Sequence, residues 1–152
     1  MNKFWNVRAG GGKASLDLFG YVGGSKDDPW GRGFNESEFL DDFRKIPSDS
    51  ALDISINSFG GAVYTGLSIY SLLKAHKGPI TFRIDGAAMS AATIITSVPG
   101  AKVVMPRGAM MMIHKVSSVA IGTTDDMRKA ADDMEKLEEN LIPDRSACLC
   151  SA

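Results

Sequence analysis

A serine, a histidine and a pair of glycines lie in three separate segments of this 152-residue chain, each in surroundings that could support chemistry. Ser90 lies among small residues, and His114 follows an apolar run over 110–113. Gly60 and Gly61 follow a segment of alternating apolar and polar residues. A serine becomes a nucleophile when an imidazole removes its proton, and the resulting oxyanion needs N–H donors from a second element. The three segments together indicate nucleophilic catalysis.

Each feature also has a plainer explanation. The loop over 57–61 could be only a tight strand-to-helix turn, because glycine tolerates positive φ. Ser90 could pack or cap a helix of small residues, and His114 could be a buried structural histidine. His76 ends a predicted helix beside two lysines and is more simply a partner of the helix dipole. The occurrence of all three features in one chain is what favours chemistry.

The composition is that of an ordinary globular domain with a substantial core. The formal net charge is only −1, so no global field attracts nucleic acid or an anionic membrane. The most apolar stretches, 87–98 and 101–113, are interrupted before the roughly 20 residues needed to cross a bilayer. The first residues lack the apolar core of a secretory signal, so we expect a cytoplasmic protein. No cofactor or metal is expected, since the two cysteines, Cys148 and Cys150, lack the spacing of a zinc site.

The hydrophobic pattern predicts alternating strands and helices. Alternating or short apolar runs indicate strands over 16–22, 52–56, 80–84, 102–105 and 109–113. Apolar residues at helical spacing, or small residues between turn signals, indicate helices over 35–46, 62–76, 87–97 and 122–142. Thr124 is the predicted cap of the last helix and Pro143 its end. Two successive β-α units imply a parallel sheet with crossover helices, which is an α/β fold.

Three segments match a known family in order and spacing. INSFGGAVYTGLSIYSLLK (56–74) resembles the Clp-protease signature with its Asn-Ser-Pro-Gly-Gly turn, except that Phe59 replaces the proline. IDGAAMSAATII (84–95) resembles the family's Gly-x-Ala-Ala-Ser nucleophile motif, and MPRGAMMMIHKV (105–116) is similar to its strand ending in Met-Ile-His. The resemblance covers roughly 16–142. FGYVGG (19–24), with the loop around Trp30, looks closest to the phage prohead or head-maturation proteases.

The resemblance implies a fold of the Clp-protease and crotonase type, with repeated β-α units and a protruding handle helix over 122–142. It also implies a serine endopeptidase that acts through an acyl-enzyme, with Ser90 as nucleophile and His114 as general base. In a phage, the substrates would be capsid or scaffold proteins, cleaved in the host cytoplasm or the procapsid.

By the same resemblance, the N–H groups of Gly61 and Ala91 form the oxyanion hole, and Gly60 and Phe59 bind substrate. The implied partners are a peptide or protein substrate and identical subunits in a ring, either a heptamer or a double ring. No Walker A motif occurs, so an unfolding ATPase would be a separate chain.

The resemblance breaks down at the carboxyl end. The family's catalytic aspartate lies well beyond the handle helix, whereas this sequence stops ten residues after Ile142. We therefore interpret 1–142 as an incomplete peptidase domain and 143–152 as an atypical tail, whose Asp144 is not assigned the role. Removing the acid of a well-studied triad costs about 10⁴ in turnover, so weak or absent activity is expected. The acidic residues of the last helix are interpreted as a solvated charged face: Asp132, Asp133, Glu135, Glu138 and Glu139.

Three alternatives stay open. A catalytically dead, ring-forming structural protein would keep the motifs without the acid. A crotonase relative would use the fold and oxyanion hole on acyl-CoA thioesters. A Ser-Lys peptidase would use Lys115 or Lys102 as its base. The apolar stripe of the last helix predicts association in each case: Met127, Met134, Leu137 and Leu141.

Overall fold

The structure is a computed structural model that describes residues 7–10, 12–24, 33–34 and 36–149. Trp30 and Cys150 lie outside these residues, as do the side chains of Asp144 and Cys148. The elements follow the chain as β1 Val7–Gly10, β2 Lys13–Phe19, β3 Tyr21–Val22, β4 Gly33–Phe34, α1 Glu36–Phe43, β5 Ala51–Ser58, α2 Val63–Lys74, β6 Ile80–Met89, α3 Ala91–Thr96, β7 Lys102–Val104, β8 Met110–Met112 and α4 Thr124–Leu149.

The main sheet is parallel except at one edge. Its order is β1-β2-β5-β6-β7, and β8 pairs with the end of β6. Only β1 runs antiparallel, to β2. The helices α2 and α3 are the crossovers of two successive β-α units, so the predicted α/β fold is confirmed. Because parallel strands end at one edge of a sheet, the residues that follow β5, β6 and β8 are brought together.

The core lies between the sheet and the helices α1 to α3. Alternation along the strands turns one side chain in two towards the helices, and these side chains are almost fully buried: Leu16, Leu18, Leu52, Ile54, Ile56, Phe82 and Ile84. Phe39, Ile69, Leu73 and Ile94 meet them from the helices. Fully burying one such side chain contributes about 1.5–3 kcal/mol, so this layer holds the sheet edge in place.

Two predicted boundaries are wrong around the glycines of the sheet edge. The predicted strand over 16–22 is two strands, because Gly20, at φ 93, ends β2 and β3 pairs instead with β4. The predicted strand over 80–84 continues to Met89, so the turn at 85–86 and the helix from 87 do not form. Residues 87–89 pair with β8, and this distant pairing overrides the helical pattern of the small residues.

The last helix differs from the prediction at both ends. Its cap is Thr123 and not Thr124, because the Asp126 N–H donates to the Thr123 hydroxyl at 3.4 Å. The helix also continues through Pro143 to Leu149. Proline removes one main-chain hydrogen bond, and a helix can continue past that single loss. The proposed division at residue 142 therefore does not coincide with a helix end. No helix in the described ranges has the length and apolar character needed to span a membrane.

Candidate active site

Ser90 lies at the sharp turn between β6 and α3. Its φ of 53° and ψ of −123° make it the only residue other than glycine with a positive φ in the described part of the chain. Such a conformation costs about 1–3 kcal/mol and must be held by its surroundings. The Ser90 N–H donates to the Met112 carbonyl at 2.9 Å, and the buried Thr93 hydroxyl donates to the Ser90 carbonyl at 2.6 Å. A strained strand-to-helix turn of this kind presents a serine hydroxyl at the sheet edge.

His114 lies two residues beyond β8 and meets this serine directly. Its Nε2 is 2.8 Å from Ser90 Oγ. The contact follows from strand pairing, because residues 110–112 lie beside residues 87–89 in parallel register. Among the side chains that the structure describes, no carboxylate lies within ion-pair distance of the imidazole. The described site is therefore a Ser-His pair.

The glycine loop after β5 forms the third part of the site. Gly60 and Gly61 have φ of 100° and 147°. A Cβ on Gly61 would stand 2.2 Å from the Val22 carbonyl oxygen, so no side chain fits there. The Val22 N–H donates to the Gly60 carbonyl at 2.9 Å, and the Ala62 N–H donates to the Val22 carbonyl at 2.8 Å. In this parallel pairing, Gly60 and Ala62 make the hydrogen bonds to Val22 of β3. The N–H of Gly61, which lies between them, therefore points away from β3.

A cavity of about 270 Å³ joins these elements. It is lined by five of the predicted site residues: Phe59, Gly61, Ser90, Ala91 and His114. The sixth, Gly60, lies behind Ser90 instead, where an added Cβ would stand 2.6 Å from the serine Cβ. The remaining lining residues are Tyr21, Val63, Ile94, Met112, Lys115, Val116, Ser117 and Leu141. The structure thus gathers all six predicted residues in one place.

Asn57 is a site-forming residue to which the sequence interpretation gave no role. The pairing of β5 with β6 is irregular after Ile56, and the side-chain oxygen of Asn57 accepts the Ala87 N–H at 3.1 Å across this irregularity. A Cβ on Gly86 would stand 2.6 Å from the same oxygen, so the glycine makes room for the amide. Irregular pairing of this kind re-aims the strand that follows it. An asparagine that ends a strand just before a glycine loop was the available signal.

The lysines proposed as alternative bases do not contact the serine. Lys115 lines the cavity, but its Nζ lies 3.7 Å from Glu138 and its side chain is 91% exposed. Lys102 lies on β7, with its side chain exposed. Within the described ranges, no group of three or more His, Cys, Asp or Glu side chains could hold a metal ion. The imidazole is therefore the group that the structure offers to Ser90 as a base.

Fold and site together define an α/β protein with a serine and a histidine at the carboxyl edge of a parallel sheet. The Clp protease family model matches residues 43–146, well over half of the chain, so this chain belongs to the Clp protease family. The match confirms the resemblance to the Clp protease family.

Several curated proteins are similar to this chain. The ATP-dependent Clp protease proteolytic subunit of Deinococcus radiodurans is 30% identical over 96 residues, which cover 62% of this chain and 47% of that protein. Its counterpart from Bacteroides thetaiotaomicron is 32% identical over 97 residues, covering 61% and 44%. Proteolytic subunit 1 of Protochlamydia amoebophila is 34% identical over 91 residues, covering 57% and 44%. The chain spans a little under half the length of these relatives.

Proposed function

We propose that this chain carries a serine-peptidase site that cleaves peptide bonds through an acyl-enzyme on Ser90. The observation that carries the proposal is the 2.8 Å contact between Ser90 Oγ and His114 Nε2. A nucleophile needs a base within hydrogen-bond reach, and this distance meets that requirement without rearrangement. Membership of the Clp protease family and the similarity to proteolytic subunits of Clp proteases support the same reaction.

In the proposed reaction the Ser90 hydroxyl donates to Nε2 of His114, so the imidazole proton resides on Nδ1. Oγ attacks the peptide carbonyl carbon while its proton moves to Nε2. A C–O bond forms, and the π bond of the carbonyl breaks as its electron pair moves to the carbonyl oxygen. The tetrahedral intermediate then collapses: the C–N bond breaks and Nε2 gives the proton to the leaving amine. Water attacks the ester in the same way, which releases the new carboxyl group and restores Ser90.

The proposed oxyanion hole consists of the N–H groups of Gly61 and Ala91. Ala91 is the first residue of α3, where a main-chain N–H has no acceptor within the helix. The N–H of Gly61 points away from β3, and the structure gives it no acceptor among the described residues. Both residues line the cavity with Ser90. In other enzymes, losing one such donor costs about 10²–10³ in turnover.

Phe59 and Gly60 are the proposed substrate-binding residues. Phe59 is 74% exposed and lines the cavity, so its ring can cover an apolar substrate side chain. The carbonyl of Gly60 is already bonded to Val22. We propose that Gly60 acts by allowing the loop to approach Ser90 and so holds Phe59 beside the scissile bond.

We propose that hydrolysis is slow. No carboxylate among the described side chains holds the imidazole of His114, and removing the orienting acid of a well-studied triad costs about 10⁴ in turnover. A serine and a base in contact can nevertheless react with an activated electrophile.

Labelling with a fluorophosphonate tests the proposal. We would compare the chain with Ser90→Ala and His114→Ala by intact mass. The expected result is one adduct that both substitutions abolish. A folded chain that gives no adduct would contradict the proposal and favour a structural member of the family without catalytic activity.

We further propose that identical subunits form a ring, a heptamer or a double ring, served by a separate ATPase. The apolar stripe predicted on the last helix does not carry this association, because Leu137 packs against the core and Leu141 is buried. Apolar side chains that a monomer does expose to water support it instead: Met110, Val119, Ile121 and Met127. Sedimentation velocity over a wide concentration range tests this, and a species that stays monomeric throughout would contradict it.

The proposed natural substrates are capsid or scaffold proteins of a phage, in the host cytoplasm or the procapsid. The support is the segment FGYVGG (19–24), which resembles phage prohead proteases and lies next to the glycine loop through Val22. Incubation of the chain with phage scaffold protein and with casein tests the preference. Faster cleavage of the scaffold protein is expected, and equal rates would contradict the proposal.

A further inference from the structure

The segment that follows His114 is held at few points. Residues 113–123 join β8 to α4 without forming a helix or strand. As far as Met112, pairing between β8 and β6 holds the chain in place. The N–H of Ser90, the residue after β6, also donates to the Met112 carbonyl. Over residues 113–122, the main chain has one hydrogen bond in the described structure. It is donated by the Val116 N–H to Oε1 of Glu138 at 2.9 Å.

Glu138 is placed to make this bond a strong one. Its side chain is only 20% exposed, and a carboxylate that accepts a main-chain N–H makes a charge-assisted bond. Its other oxygen lies 3.7 Å from the exposed ammonium of Lys115, a surface pair that contributes little. The hydrogen bond to Val116 is therefore the stronger of these two interactions of Glu138.

The surroundings of this bond belong to the wall of the active-site cavity. Val116 and Leu137 pack against the core, and Leu141 is buried. Val116 and Leu141 also line the cavity that contains Ser90 and His114. The helix α4 thus closes one side of the cavity and fixes the chain two residues beyond the imidazole.

We propose that Glu138 is a positioning residue: by holding the main chain of Val116 it keeps the imidazole of His114 opposite Ser90. The prediction that Glu138 belongs to a solvated charged face is wrong, because its side chain is only 20% exposed and accepts the Val116 N–H. Its spacing was the available signal, because residues 134, 138 and 141 share one face of a helix and the other two are apolar. The catalytic consequence of this inference rests on the proposed function, whereas the hydrogen bond does not.

Two variants separate the hydrogen bond from the bulk of the side chain. Glu138→Met keeps the length and the helix propensity but has no strong acceptor, and Glu138→Gln keeps an oxygen that can accept the Val116 N–H. The matched control is Glu139→Met, at an exposed neighbouring position. The first readout is the Nε2 resonance of His114 by NMR, measured with and without Ser90→Ala, because the change reports the Ser-His contact whether or not the chain is active.

We expect Ser90→Ala to shift the Nε2 resonance in the unsubstituted, Glu139→Met and Glu138→Gln backgrounds, and not in Glu138→Met. Fluorophosphonate labelling should fall about 10-fold to 10²-fold in Glu138→Met, since a misplacement of about 1 Å can cost that much. Glu138→Gln should recover most of this rate. A Ser90-dependent shift of unchanged size in Glu138→Met would overturn the positioning role. An unsubstituted chain that shows the shift but forms no adduct would instead contradict the proposed peptidase function alone.

Discussion

Gly60 lies directly behind Ser90, and the two main chains leave no room for a side chain between them. A Cβ on Gly60 would stand 2.6 Å from the Cβ of Ser90 and 2.7 Å from the Met89 carbonyl oxygen. Both distances are well inside van der Waals contact. The loop after β5 and the turn after β6 therefore pack directly against each other. The position of Ser90 depends on the absence of a side chain at Gly60.

We predict that Gly60→Ala abolishes labelling of Ser90. The added methyl must displace either the serine or the Met89 carbonyl, and overpacking of this kind costs about 1–3 kcal/mol. Gly100→Ala is the matched control, because Gly100 also has a positive φ but nothing within 4 Å of an added Cβ. That control should lose only about 1 kcal/mol of stability and keep its labelling rate. Equal labelling rates for the two variants would contradict the prediction.

The strained turn predicts an unusual order of stability at Ser90. At φ 53° and ψ −123° glycine is unstrained, whereas alanine keeps the strain. Ser90→Gly should therefore have a free energy of unfolding about 1 kcal/mol above that of Ser90→Ala in urea titrations. Ser71, which is exposed on α2, is the control position. There Ser71→Gly should have a free energy of unfolding about 1 kcal/mol below that of Ser71→Ala, because glycine has the lower helix propensity. The same order at both positions would argue against strain at Ser90.

Local patterns predicted most of the fold. The period-2 alternation over 52–56 and the helical spacing over 62–76 are each set by one buried face, so the sequence alone determines their type. Residues 87–89 are different, because small residues suit a helix as well as a strand. Their state is decided by pairing with β8, more than twenty residues away, which no local pattern encodes.

The candidate site divides in the same way. Ser90 and His114 were found because their neighbours form a recognisable motif, and the structure places them in contact. Asn57 and Glu138 were missed because each acts on the main chain of a distant segment, at Ala87 and Val116. Such roles depend on an irregular strand pairing and on where a helix packs. Neither depends on residue type alone.

We predict that Asn57→Ala destabilises the protein and slows labelling, whereas Asn57→Asp does so less. Alanine leaves the part-buried Ala87 N–H without its acceptor, which costs about 1–3 kcal/mol, while aspartate retains an acceptor oxygen. Urea unfolding and labelling rates measure the two effects. Indistinguishable midpoints for the two variants would show that the hydrogen bond across the irregular pairing does not stabilise the turn.

The amino-terminal cap of α4 predicts a dependence on pH. The carboxylate of Asp126 accepts from the Thr123 hydroxyl at 2.6 Å and from its main-chain N–H at 2.9 Å. These bonds lower the pKa of Asp126 below its ordinary value of 3.8. A carboxyl group with a depressed folded-state pKa stabilises the fold above its unfolded pKa, and that contribution is lost as the pH falls through the folded-state value.

Asp126→Asn should therefore unfold at a lower urea concentration than the unsubstituted chain at pH 7. The difference should narrow once the pH falls below about 3.8, the ordinary value for this group. Asp125→Asn is the control, because within the described ranges Asp125 takes no part in this cap and pairs with Arg128 on the surface. Asp125→Asn should lose less stability at pH 7 than Asp126→Asn does, since a surface ion pair contributes little. A difference for Asp126→Asn that stays constant from pH 7 to pH 3 would contradict the assignment. Because α4 also carries Glu138, loosening its first turn should slow the labelling of Ser90 as well, and by less than Glu138→Met does.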